Sequence, residues 1–124
     1  MRVRFRPSVP VLAVVLWLVA VLPAAAQFVS GMDDLPLMPG LTPVPSAGMV
    51  FDAPTGRIVE AVALLDTDSG MTPKDVRAFY DKTLPQLGWR ILQSGRYRRE
   101  GEILALDFPA DPPPAVRFRL TPAG

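Results

Sequence analysis

The sequence predicts a two-layer α+β domain, with one amphipathic helix packed across a curved antiparallel sheet of about five or six strands. Three observations carry that expectation. Short apolar runs suited to strands recur between Met49 and Leu120, separated by turn residues. One stretch with helical spacing, Thr72 to Leu87, interrupts them. Ser94-Gly95, Gly101 and Pro109 to Pro114 fall where a strand meander has to reverse or stop.

The first 26 residues set the compartment. Arg2, Arg4 and Arg6 precede an apolar run from Val9 to Leu22, broken only by Pro10, and Pro23-Ala24-Ala25-Ala26 follows. A basic segment, a short apolar core and an Ala-x-Ala site read as a secretory signal peptide cleaved near Ala26. The run is shorter than the about 20 apolar residues of a membrane span, which ranks an uncleaved anchor second. Basic residues ahead of the run send the remainder across the membrane in either case. The expected location is the periplasm or the exterior of the cell.

Removing these 26 residues from 124 leaves 98, enough for one domain. The three leader arginines go with them, so a formal charge of +1 becomes −2. That balance gives no bulk attraction to nucleic acid. Histidine and cysteine are both absent. Their absence removes Ser-His-Asp and Cys-His catalysis, the commonest general base, and the usual zinc and copper ligand sets. It also removes disulfide reinforcement and a lipidated cysteine, so no stable membrane anchor is expected after cleavage.

Residues 27–46 read as a proline-rich apolar tether ahead of an α+β domain at 47–124. Pro36, Pro39, Pro43 and Pro45 block regular ladders. Phe28, Val29, Met32, Leu35, Leu37, Met38 and Leu41 make it more apolar than a solvated linker. Either some of these side chains pack back onto the domain, or Leu35, Leu37, Met38 and Leu41 dock into a partner's groove.

The domain begins with two strands, Met49 to Asp52 and Arg57 to Leu65, joined through Ala53-Pro54-Thr55-Gly56. Ile58, Glu60, Val62 and Leu64 alternate with Val59, Ala61, Ala63 and Leu65; two largely apolar faces predict a central, substantially covered strand. Thr72 is placed as N-cap, with Pro73 at the first helical position and Asp75 completing a capping box. Met71 can staple against Val76. Val76, Phe79, Tyr80, Thr83, Leu84 and Leu87 recur on one helical face. Pro85 predicts a distorted last turn and Gly88 a left-handed terminator. Strands then follow at Trp89 to Gln93, Arg96 to Glu100 and Glu102 to Phe108. In the last strand Val116, Phe118 and Leu120 face the core and alternate with Arg117 and Arg119.

The run Phe79-Tyr80, Leu84-Pro85 and Gly88-Trp89, with the basic hairpin after it, resembles small exported bacterial domains of unknown function. In those, a Phe-Tyr-x-x-x-Leu-Pro-x-x-Gly-Trp helix exit feeds a strand meander. The resemblance spans roughly residues 57–120 and implies the fold; it brings no activity, cofactor or site residue with it.

Four constellations could carry chemistry. Asp66-Thr67-Asp68-Ser69-Gly70 looks like the start of a calcium loop, but glycine comes one place early and Arg77 stands where the last acidic ligand belongs, so an acidic turn before the helix cap is expected and no metal. Arg96, Arg98, Arg99, Arg117 and Arg119 could present guanidinium groups to an anion. Alternation puts Arg99 opposite to Arg96 and Arg98, and a solvated face balanced by Glu100, Glu102 and Asp107, its arginines discouraging edge aggregation, ranks ahead of the anion site. Trp89 and Tyr97 read as core before they read as a stacking site. The carboxylate pairs Asp33 with Asp34 and Glu100 with Glu102 are not preorganised.

The functional expectation is a non-catalytic binding or interaction protein without a cofactor, its partner a periplasmic or envelope protein. The alternative is an anionic lipid or glycan on the arginine-bearing face. A hydrolase using carboxylates alone ranks last. No motif specifies oligomeric state.

Overall fold

The computed structural model describes residues 27–123, so the signal-peptide reading falls outside the described residues. The described chain is α+β. Strands β1 (Phe28–Val29) and β2 (Met32–Pro36) form a small hairpin, β3 (Thr42–Pro43) follows, and β4 (Met49–Ala53) and β5 (Gly56–Leu64) form a second hairpin. Helix α1 (Pro73–Thr83) continues as a 3-10 turn over Leu84–Leu87. The meander β6 (Arg90–Gln93), β7 (Arg96–Arg99), β8 (Glu102–Asp107) and β9 (Ala115–Pro122) completes the chain.

The main sheet has seven antiparallel strands in the order β3-β5-β9-β8-β7-β6, with β4 also on β5. β3 and β4 lie end to end along one side of β5: Thr42 pairs with Leu64, and Met49 with Glu60. The sheet is therefore six positions wide, matching the five or six strands expected. Strand β9 sits between β5 and β8 and presents Val116, Phe118 and Leu120 to the core, none more than 2% exposed.

The helix forms where its signals lie. Thr72 Oγ1 accepts the Asp75 N–H at 3.3 Å, and Asp75 accepts the Thr72 N–H at 2.9 Å. Two otherwise orphaned donors are satisfied reciprocally. Val76, Tyr80 and Leu84 are fully buried, Phe79 and Thr83 are partly covered, and Leu87 is exposed. Pro85 lies within the 3-10 turn and Gly88 ends it at φ +92°, where the Trp89 N–H reaches Leu84 O at 3.1 Å. An L side chain pays about 1–2 kcal/mol at such a φ, which is why glycine stands there.

Residues 27–46 are not a free tether. Val29, Met32, Leu35, Leu37 and Leu41 all belong to the buried core, and the segment is tied to β5 by Val44 N–H to Val62 O at 2.8 Å. The reason is geometric. Six strand positions span about 24 Å, whereas one helix with its side chains is about 10–12 Å across. The helix leaves roughly half of the sheet's inner face open, and the N-terminal segment covers the rest.

Strand β5 also departs from expectation. Val59, Ala61, Ala63 and Leu65 are buried, while Ile58, Glu60, Val62 and Leu64 are only partly covered. The strand is interior to the sheet, one position from the β3/β4 edge and not central, and no helix packs on its second face among the described residues. Its apolar residues there mark a half-open surface instead of a second core.

Candidate functional site

The partner-docking expectation for Leu35, Leu37, Met38 and Leu41 is corrected. Leu35, Leu37 and Leu41 are 2%, 8% and 6% exposed, and Met38 is partly buried against the same cluster. Their apolar surface is spent on the protein's own core. A shallow groove of about 510 Å³ does run between this segment and Phe79, lined by Met38, Pro39 and Leu41.

The arginines divide by strand parity. Arg98 pairs with Ile103, and Ile103 with Thr121; Arg96 pairs with Ala105, Ala105 with Arg119, and Arg119 with Glu60. Arg117 lies between Asp107 and Val62. Side chains in register share a face, so Arg96, Arg98, Arg117 and Arg119 all stand on the outer face, away from the helix. Ala105 is only 8% exposed, and its place between Arg96 and Arg119 puts it under their aliphatic stems.

Arg90 joins them, because it pairs with Arg98. The sequence reading missed it. The hairpin through Ser94-Gly95 was the available signal, but a register slip between Ile91 and Gln93 obscures the parity of β6. Arg99 does not join them. Its guanidinium lies 4.4 Å from the Trp89 ring centroid, donates to Leu87 O at 3.2 Å and pairs with Asp34. It is a lid over Trp89 on the inner face.

Charge on the outer face is incompletely matched. Among the described residues the ion pairs are Arg57 with Glu102, Arg99 with Asp34, and Arg119 with Glu60 at 2.8 Å. Arg90, Arg96, Arg98 and Arg117 form no ion pair among the described residues, although Asp107 stands in register opposite Arg117. Toward the opposite edge the same face carries Met49 and Phe51, 48% and 56% exposed, and between these and the arginines lie the partly covered Ile58, Val62 and Ile103. The face is thus basic toward β6 and β7 and apolar toward β4.

Trp89 and Tyr97 are core residues, 5% and 0% exposed. Trp89 Nε1 is buried with no protein acceptor. Tyr97 donates to Asp81 Oδ1 at 2.6 Å, and Ser94 Oγ donates to Asp81 Oδ2 at 2.8 Å, tying the β6–β7 turn to the helix. Burial, then the Asp81 carboxylate, pushes the Tyr97 phenol well above its ordinary range.

The carboxylates regroup. Asp34, Glu100 and Glu102 line one open cleft of about 620 Å³ with Arg99, while Asp33 is exposed outside it. Acid/base work needs one carboxyl that holds its proton beside one that does not. Here the Arg99 hydrogen bond keeps Asp34 below the usual carboxylate range, and Arg57 binds Glu102. That arrangement suits structural ion pairs. Asp66 to Gly70 forms a 3-10 turn closed by Gly70 at φ +79°, and no group of three acidic residues converges on a metal position among the described residues.

No protein-family model matches the chain, and neither a curated protein nor a solved structure matches it.

Proposed function

We propose that this chain is an exported, non-catalytic binding module that uses its uncovered sheet face to engage an anionic lipid surface. One observation carries the reading: Arg90, Arg96 and Arg98 cluster without ion pairs on one helix-free face, with Arg117 opposite Asp107 on β9 and exposed Met49 and Phe51 toward the far edge of the same face. Guanidinium groups bind phosphate through paired hydrogen bonds, and exposed apolar side chains add area that a lipid interface, unlike a soluble glycan, can bury. The net charge of the described domain is immaterial at this range, because the field near a surface is set by the charges within a Debye length of about 8 Å.

The test is vesicle co-sedimentation. Binding to phosphatidylglycerol vesicles is expected, with little binding to phosphatidylcholine vesicles and a steep fall as salt rises. Arg96→Glu with Arg98→Glu should abolish it while leaving the melting temperature unchanged. Equal binding to both vesicle types, or indifference to salt, sinks the reading.

A further inference from the structure

The two edges of the main sheet are built differently. At one edge β6 carries Arg90, and its pairing with β7 slips between Ile91 and Gln93. Charge and a bulge are the usual means of keeping an edge from pairing. At the other edge β4 has no bulge and a single charge, Asp52. Met49 to Ala53 pair in unbroken register with Glu60 to Gly56, the strand holds no Lys or Arg, and Met49, Val50 and Phe51 are 48%, 63% and 56% exposed.

Parity fixes which backbone groups face outward. Ala53 and Gly56 close the two-residue turn Pro54-Thr55. Hydrogen-bonded and non-hydrogen-bonded pairs then alternate, so Phe51 and Met49 bond to β5, while the N–H and C=O of Val50 and Asp52 point away from the sheet. The parity of β5 agrees: Val62 O accepts the Val44 N–H at 2.8 Å on this same side.

We propose that β4 pairs with β4 of a second copy of this chain, antiparallel and centred on Phe51, so that two sheets join across a two-fold axis. The strand is complementary to itself in that register. Val50 meets Asp52 twice, Met49 meets Ala53 twice, and Phe51 meets Phe51 at a non-hydrogen-bonded position, where side chains approach most closely. No like charges oppose each other, whereas centring on Asp52 would press two carboxylates together. The pairing is isologous and closes at two copies. A β4–β6 contact would instead propagate into filaments, and Arg90 and the bulge guard against it. Exposed apolar side chains on both faces of β4, Met49 and Phe51 on one and Val50 on the other, gain cross-strand neighbours in this arrangement while the sheet faces themselves stay open. It does not depend on what the arginine-bearing face binds.

Sedimentation velocity on the purified protein across a micromolar concentration series provides the test, with two variants. Val50→Pro removes an outward N–H that β5 does not use, so the fold should persist. Its dimerisation should weaken roughly tenfold or more, since each copy loses an inter-chain donor. Phe51→Cys puts a single thiol into a cysteine-free chain, at a position whose two-fold mate lies within disulfide reach. It should oxidise to a covalent dimer faster than Ser69→Cys, placed on an exposed turn. A wild-type protein monomeric throughout the series overturns the proposal, and so does equal oxidation of the two cysteine variants. Undiminished dimerisation of folded Val50→Pro overturns it as well. Should Val50→Pro fail to fold, the cysteine pair decides.

Discussion

Tyr80 holds Pro36: its phenol donates to the Pro36 carbonyl at 2.8 Å and accepts the Met38 N–H at 3.0 Å. One side chain on the helix thereby satisfies two backbone groups of the proline-rich segment, where ladder bonding is interrupted. The ring itself is fully buried and packs edge-on against Phe118, 5.4 Å between centroids. Helix, N-terminal segment and sheet meet at this residue.

Tyr80→Phe keeps the ring and removes the hydroxyl. Two backbone groups lose their partner in a partly buried place, so a loss of about 1–3 kcal/mol is expected in urea denaturation. Hydrogen exchange should localise it, with the Met38 amide losing protection while the β8–β9 ladder keeps its own. An unchanged Met38 amide would mean that the segment is held by its leucines alone.

The chain has two tyrosines, and both phenols have raised pKa values and so are weaker acids than usual. For Tyr80 the cause is burial; for Tyr97 it is burial and then Asp81. A group whose folded pKa lies above its unfolded value stabilises the fold fully below the unfolded value, about 10 for tyrosine, and that contribution fades as pH rises beyond it. Absorbance at 295 nm should therefore show almost no tyrosinate in folded protein at pH 11. It should then appear in step with the loss of near-ultraviolet circular dichroism. Titration of either phenol in the native state near 10 contradicts the burial described.

Acid acts through the opposite sign. Hydrogen bonding to Arg99 lowers Asp34, and bonds from Thr72 lower Asp75. Each contributes stability above the ordinary carboxylate value of about 4, and loses it as pH falls toward the depressed folded value. The denaturation midpoint should drop below pH 4, and Asp34→Asn combined with Asp75→Asn should flatten that slope. Both groups meet solvent, so the effect should shrink in high salt.

Arg98 and Arg99 are neighbours in sequence and should behave as unrelated residues. Arg99→Ala uncovers Trp89, and about 0.5–2 kcal/mol is expected from the lost cation–π contact, with vesicle binding intact. Arg98→Ala should leave stability within about 0.5 kcal/mol and weaken vesicle binding. Thermal melts and co-sedimentation on the two proteins separate them. Identical behaviour would contradict the division of faces.

Gly88→Ala tests the helix exit. A Cβ there would meet Arg99 Cδ at 3.5 Å, an ordinary contact, so the cost is backbone strain at φ +92° and not crowding. About 1–2 kcal/mol of destabilisation is expected by thermal melting.

Local chemistry made much of this fold legible. Thr72, Pro73 and Asp75 announce a helix start because capping depends on residues within one turn. Gly88 announces the stop for the same reason. Val116, Phe118 and Leu120 reveal their face because strand alternation needs no knowledge of the partner. The separation of Arg99 from Arg98 follows from that same alternation.

What lay outside such local rules needed the folded chain. Val29, Met32, Leu35, Leu37 and Leu41 follow neither a strand nor a helix period, so their burial depends on how much inner face one short helix leaves open across a sheet six positions wide. The convergence of Arg90, Arg96, Arg98 and Arg117 depends on the pairing of β6, β7, β8 and β9, which brings residues far apart in the chain onto neighbouring strands. By itself the sequence determined the α+β elements from Met49 onward, their caps and the facing of single strands, but not the three short strands β1, β2 and β3 of residues 27–46. Only the tertiary structure decided that the proline-rich segment is core and that the helix-free face is basic, because both depend on which surfaces the packed elements leave uncovered.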